Sequence, residues 1–312
     1  MRALAAAAAV LLSMSAPASS GWKDVIAQQS AKHGWDPLDG RFAKALLAAL
    51  GALPATREHL EFVKRWKIDL RVVGPDDHVP AYAVASYVEE DRCMYINEDE
   101  LMSGAAELRR LGASEDDIPE VLAWKFLSTA AHEIRHAITR VRMRKKTGIT
   151  VRLNPIESEY ISFLDEARVL REAARARPAL WAPDKILEVE RESAEILRAS
   201  ARDARPLEEM VDGLYRGKPS LLKTPREELA KDYRRRLAEL DDSARDLSRT
   251  SVRDIKDPEV RADFLEAVTS VADGIALYRE MLAVVGDPDA HAKLSAFYKE
   301  ELGAMERAIA RR

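Results

Sequence analysis

The chain has almost no cysteine. Cys93 is the only one in 312 residues, which excludes an internal disulfide. A protein of this size without cross-links must rest on its apolar core, and about 290 residues can bury one. Long hydrophobic runs are also missing. No stretch approaches 18 consecutive apolar residues, so no membrane-spanning helix is expected. A formal net charge of −4 without a strong basic cluster argues against nucleic acid as a partner. The one basic block, Arg140-Val141-Arg142-Met143-Arg144-Lys145-Lys146, falls in the last turns of a helical pattern, where cations favour the helix dipole. There is no fixed-period repeat.

The first residues read as a secretory signal peptide. Met1-Arg2 supplies a positive start, residues 3–12 are unbroken apolar sequence, and Ala16-Pro17-Ala18 offers a small-x-small cleavage site. Residues 1–18 are therefore expected to be removed and the protein exported, to a periplasmic or extracellular location. No cysteine follows the apolar run, so no lipid anchor is expected.

Downstream, helix signals dominate. Three short helices are expected over 22–33, 41–53 and 55–67, separated by Gly34-Trp35-Asp36-Pro37 and by residues 51–54. Three strand candidates follow, at 68–73, 82–88 and 93–96. Asn97-Glu98-Asp99-Glu100 reads as a helix start. Ser114-Glu115-Asp116-Asp117 then caps a long helix over 118–147, which Gly148 ends. After Asn154 no strand pattern remains. Helical patterns cover 156–177, 184–203, 206–216, 225–248, 257–284 and 288–310, punctuated by prolines. The expected fold is mainly α, with a small N-terminal sheet followed by an all-α C-terminal half. The expected division is 19–177, with the helices 118–147 and 155–177, and then 178–312.

The long helix carries His132-Glu133-Ile134-Arg135-His136. Residues i and i+4 share one helix face, so both imidazoles can reach a common point. One Zn²⁺ suits that point, because neutral His nitrogens are natural zinc ligands. Glu133, beside the first His, is placed to take a proton from water. A wide apolar stripe, including Leu122, Phe126, Leu127, Ala130, Ala131, Ile134, Ala137, Ile138 and Val141, flanks the motif as in a buried helix. An unpaired His there would be costly and a ligated one would not.

This H-E-x-x-H helix resembles that of the zincin metallopeptidases. Arg135 is a departure, since the usual zincin helix prefers uncharged residues at both middle positions. A catalytic zinc takes three protein ligands, and Thr139 and Arg142 exclude a third His at the longer motif spacing. A carboxylate on the next helix remains. In Asn154-Pro155-Ile156-Glu157-Ser158-Glu159, Asn154 with Pro155 at the first helical position reads as the start, and Glu157 as the closing residue of a capping box. Glu159 and Glu166 share one helix face at the margin of an apolar stripe, and either spacing from His136 permits ligation. The string Glu159-x-x-Ser162-x-x-x-Glu166-Ala167 resembles the third-ligand helix of gluzincins, a resemblance covering about residues 82–175. It implies His132, His136 and Glu159 as metal ligands and Glu133 as general base. Glu166 would then orient a His ring or Arg168, or else be the third ligand itself.

The resemblance also implies a zincin-like core whose sheet edge, 93–97 or 82–88, pairs with an extended peptide or protein substrate. Tyr160, Tyr215, Tyr233 and His291 are candidates for the oxyanion donor, and nothing in the sequence selects among them. Cys93, flanked by apolar residues, reads as a small buried hydrophobe rather than a ligand. Two rival readings remain at this level. One is a non-catalytic exported helical scaffold or binding protein, favoured by the large helical C-terminal half. The other is a pseudo-peptidase that binds zinc without hydrolysis.

Overall fold

A computed structural model describes residues 38–74, 83–89, 91–182, 185–187, 191, 194, 205–215 and 218–310. The expected signal peptide and the helix over 22–33 lie outside the described residues, as does most of the helix over 184–203. The rest is mainly helical, with one three-stranded sheet near the N-terminus and an all-helical C-terminal half.

Helices α1 (Leu38–Ala52) and α2 (Arg57–Trp66) flank a 3-10 turn at Pro54–Thr56. Lys67, at φ 51°, ends α2 and turns the chain into β1 (Asp69–Val73). Strands β2 (Ala85–Val88) and β3 (Cys93–Asn97) form a hairpin that turns through Arg92 at φ 49°. β3 lies at the centre, parallel to β1 and antiparallel to β2. With a partner on each side, residues 93–97 cannot be the substrate-facing edge; of the two segments expected for that role, β2 alone is an edge. All five β3 residues are buried, as befits a central strand covered on both faces. Asn97 then starts α3 (Glu98–Arg110): its Oδ1 accepts from Asp99 N at 3.0 Å, while its Nδ2 donates to the Ala83 carbonyl at 3.0 Å. One side chain thus caps a helix and ties down the approach to β2.

The helix expected over 118–147 is two helices, α4 (Ile118–Lys125) and α5 (Leu127–Thr147), which meet at a bend on Phe126. Tertiary packing overrides the helical periodicity at this point. The Phe126 ring meets Phe42 of α1 edge-on at 5.9 Å. The adjacent Lys125, 3 % exposed, is held by the carbonyls of Leu180 and Lys185. Gly148, at φ 73°, closes α5 in a left-handed conformation that costs glycine little.

Helix α6 (Ile156–Ala176) returns along α5. Its start differs from expectation. Pro155 is the cap, with no side-chain bond to the helix, and Asn154 Oδ1 instead accepts from Arg140 at 3.2 Å. Glu157 does not close a capping box either. Its Oε1 accepts from Ser220 Oγ at 2.5 Å and Leu222 N at 3.0 Å, so it holds a distant loop.

The C-terminal half comprises α7 (Arg205–Leu214), α8 (Arg226–Ser248), α9 (Pro258–Gly286) and α10 (Pro288–Ala310). α8 and α9 pack along one another, and α10 lies against α5 and α6. The basic block at the end of α5 makes part of this seam. Arg142 and Lys146 pair with Glu301 of α10, while Arg140 and Arg144 pair with Glu89 after β2. Helix dipole alone does not account for these cations. Two large apolar clusters form most of the core, one around the sheet and α1–α5 and one around the C-terminal helices, and a small third one, Val73, Val88, Cys93 and Tyr95, lies within the sheet. α6 contributes to both, through Val169 and Ala173 to the first and through Ile161 and Leu164 to the second. Among the described residues no helix is long and apolar enough to cross a membrane.

Candidate metal centre

α6 is buried without interruption from residue 156 to 167, and that stretch includes Glu157, Ser158, Glu159, Ser162, Asp165 and Glu166. Polar groups in such a place need partners or a ligand. Three of them, Ser158, Glu159 and Glu166, meet the two histidines of α5.

His132 Nε2 and His136 Nε2 stand 3.1 Å apart. Glu159 Oε2 lies 3.8 Å from the first and 3.3 Å from the second. These three atoms form the only cluster of His, Cys, Asp or Glu able to hold a metal among the described residues. The separations fit a zinc ion: Zn–N bonds of 2.0–2.1 Å at tetrahedral angles set neighbouring ligand atoms about 3.3 Å apart. Two imidazole nitrogens facing each other at 3.1 Å repel unless a proton or cation sits between them, so the donor set asks for a positive charge at this point.

The far sides of the rings are also occupied. His132 Nδ1 lies 3.0 Å from Glu166 Oε2, and His136 Nδ1 lies 2.9 Å from Ser158 Oγ. With a metal on Nε2, that nitrogen would be bare and Nδ1 would carry the proton and donate it to these partners, which would fix each ring's tautomer and angle. The Phe163 ring meets His132 edge-on at 4.6 Å and closes that side. Glu166 Oε2 thus meets the outer nitrogen of the His132 ring, outside the three-atom cluster, and Arg168 pairs with Asp165.

Glu133 projects from the same helix towards the sheet. Its Oε2 accepts from the main-chain N of Tyr87 on β2 at 3.1 Å, and the side chain is partly exposed. Burial raises the Glu133 carboxyl above its ordinary value, against the pull of the His132 and His136 charges. Burial acts in the opposite sense on His132, but hydrogen bonds to Glu159 and Glu166 outweigh it and hold the ring well above the usual imidazole range. For Glu159, burial raises the carboxyl while the charges of His136 and Lys218 pull it well below the carboxylate range.

Two residues of this environment carried no signal in the sequence. Lys218, in the loop after α7, places Nζ 3.3 Å from Glu159 Oε1. His59 of α2, fully buried, contacts Asp165 Oδ2 at 2.7 Å in a network behind the motif that also takes in Arg135, the odd residue of the motif. Neither stands at a recognisable spacing from 132–136; only the fold brings them there. Of the four oxyanion candidates, Tyr160 is engaged by Asp212 and Tyr233 is buried beside Tyr278. His291 lies in the first turn of α10, where burial and the Arg226 charge lower its pKa. Tyr215 is the one whose ring reaches the wall of the centre, 6.4 Å from Phe163. Cys93 is fully buried on β3, and burial pushes its thiol up to about 12, so it is no thiolate ligand.

The geometry separates the two acidic candidates by experiment. Glu159→Ala is expected to abolish stoichiometric zinc, because it removes a donor atom from the cluster. Glu166→Ala should keep zinc but bind it roughly 10–100-fold more weakly, the usual cost of losing a partner that orients a His ligand. Metal content after dialysis and competition with a chelator read both, and the reverse pattern would exchange their roles. Compared with models of known families, with curated proteins and with solved structures, the chain matches none.

Proposed function

We propose that this protein is a zinc-dependent metallopeptidase of the gluzincin kind, hydrolysing peptide bonds in an exported setting. The observation that carries the reading is the convergence of His132 Nε2, His136 Nε2 and Glu159 Oε2 within 3.1–3.8 Å, one residue away from a carboxylate that does not join them. A structural zinc site closes its shell with a fourth protein ligand, whereas three donors and a nearby base are the pattern of a hydrolytic site. When bound, zinc supplies Lewis acidity, lowering the pKa of a water and polarising a carbonyl.

The chain's own groups supply the rest. Glu133 takes a proton from the attacking water and returns it to the departing amine nitrogen. Glu166 and Ser158 keep both imidazoles in the tautomer that offers a lone pair to the centre. β2 is a sheet edge whose Tyr87 amide already reaches Glu133. A strand edge beside the base offers main-chain groups to an extended peptide of varied sequence. The pattern of residues 1–18 supports export.

The test uses the full chain. It should purify with one zinc, cleave an unfolded polypeptide, lose that activity to a chelator and regain it with added zinc. Cleavage that survives complete removal of metal would overturn the metallopeptidase reading. A zinc-loaded protein that leaves unfolded polypeptides intact would overturn hydrolysis and keep the metal centre.

A further inference from the structure

Among the described residues, the C-terminal half brings a charged group to the centre at Lys218. Lys218 lies in the loop between α7 and α8, 59 residues after Glu159. Its ammonium stands 3.3 Å from Glu159 Oε1 and 4.9 Å from the centroid of the Tyr215 ring, with its side chain 19 % exposed. The two oxygens of Glu159 therefore have separate partners: Oε2 faces the imidazole nitrogens and Oε1 faces Lys218.

The loop that presents Lys218 is fastened at its other end. Ser220 Oγ donates to Glu157 Oε1 at 2.5 Å, Leu222 N donates to the same oxygen at 3.0 Å, and Ser220 Oγ accepts from Lys223 N at 2.9 Å. Glu157 is 1 % exposed. Two acids on the first turn of α6 thus grip one loop, Glu157 through Ser220 and Leu222, and Glu159 through Lys218. The loop cannot drift from the centre without breaking a buried, charge-assisted bond.

Resting on the zinc reading, we propose that Lys218 is a positioning residue that reserves Glu159 Oε1, so that Glu159 presents a single oxygen to the metal and a position stays open for water. A carboxylate next to zinc can offer one oxygen or both, and offering both would fill the position that hydrolysis needs. An ammonium on Oε1 favours the one-oxygen arrangement without withdrawing Glu159 from the centre. It also brings a cation from the C-terminal half to a site with three carboxylates, Glu133, Glu159 and Glu166. The C-terminal half is on this account part of the catalytic site, and not merely attached to it.

The experiment substitutes cobalt for zinc in the full chain and reads the visible absorption, whose intensity falls as coordination rises from four to five. Lys218→Met should still take up one metal per chain, because the donor atoms remain, while its cobalt bands weaken and peptide hydrolysis drops roughly 10–100-fold. Lys218→Arg should restore the wild-type spectrum. Ser220→Ala, which loosens the loop and leaves Lys218 and Glu159 in place, should shift the spectrum the same way by less. Circular dichroism confirms that each variant is folded, and if Lys218→Met does not fold, Ser220→Ala decides alone. Wild-type bands in a folded Lys218→Met, or in Ser220→Ala as the only folded variant, would overturn the positioning role and leave the peptidase reading standing. A wild-type chain that binds neither zinc nor cobalt would overturn both.

Discussion

Glu133→Gln should leave zinc bound and slow peptide hydrolysis by roughly 10²–10⁴-fold, the usual contribution of a positioned general base. In free energy this is about 3–5 kcal/mol of lost transition-state stabilisation. The substitution is nearly isosteric. A carboxamide oxygen can still accept from the Tyr87 amide now 3.1 Å from Glu133 Oε2, so the side chain should keep its place against β2. What it loses is the ability to take a proton. Zinc content should not change, because Glu133 contributes no atom to the cluster of His132, His136 and Glu159. The measurement is kcat/KM on an unfolded polypeptide, with metal content determined on the same preparation. Activity within about tenfold of wild type would remove Glu133 from the role of base and the hydrolytic mechanism with it. Loss of metal together with activity would show instead that the carboxylate holds the centre together.

Residues 132–136 made the centre legible because helical geometry is local. Two His four apart must share a face whatever the rest of the chain does. The strands were legible for a similar reason, since alternation and β-branched residues act within a few positions. What stayed hidden depends on neighbours distant in sequence. The bend at Phe126 arises from Phe42 and from the carbonyls that hold Lys125, so no pattern within 118–147 announces it. Asn154 and Glu157 have the spacing of a capping box, but Arg140 takes one and the Ser220 loop takes the other. Local capping rules lost to stronger long-range partners. The acidic residues of α6 resemble a solvated face in sequence, yet none from 157 to 166 is exposed, because the C-terminal helices cover the side that α5 leaves free. Lys218 was unreadable for the plainest reason: nothing in a Lys between two helices tells which carboxylate it will meet.

Asp165→Asn should destabilise the fold by about 3–5 kcal/mol, the cost of removing one partner from a buried ionic network. Asp165 is fully buried and accepts from every side. Arg135 Nε donates to Oδ2 at 2.6 Å, His59 Nε2 lies 2.7 Å from the same oxygen, and Arg168 donates to Oδ1 from Nε at 3.0 Å and from Nη2 at 2.6 Å. A carboxamide cannot accept all of these, since one end of it becomes a donor facing donors. Burial alone would raise the Asp165 carboxyl, but Arg135, His59 and Arg168 hold it far below the usual carboxylate range. A group depressed in the folded state stabilises above its unfolded pKa and loses that stabilisation as pH falls towards its folded value. The gap between wild type and variant should therefore be full near neutrality and narrow by about 1 kcal/mol at pH 3, below the ordinary Asp value. Urea unfolding at both pH values reads the two quantities. Glu58→Gln provides the contrast, because Glu58 meets Arg135 from a side chain that is 43 % exposed, and should cost under about 1 kcal/mol. A loss of that size for Asp165→Asn as well would mean that the network is incidental. A full loss would give the charge inside the motif a structural role: Arg135 sits between the two histidines and, through Asp165, binds their helix to the one that carries Glu159. The same bond that stabilises the fold then holds the three donor atoms together.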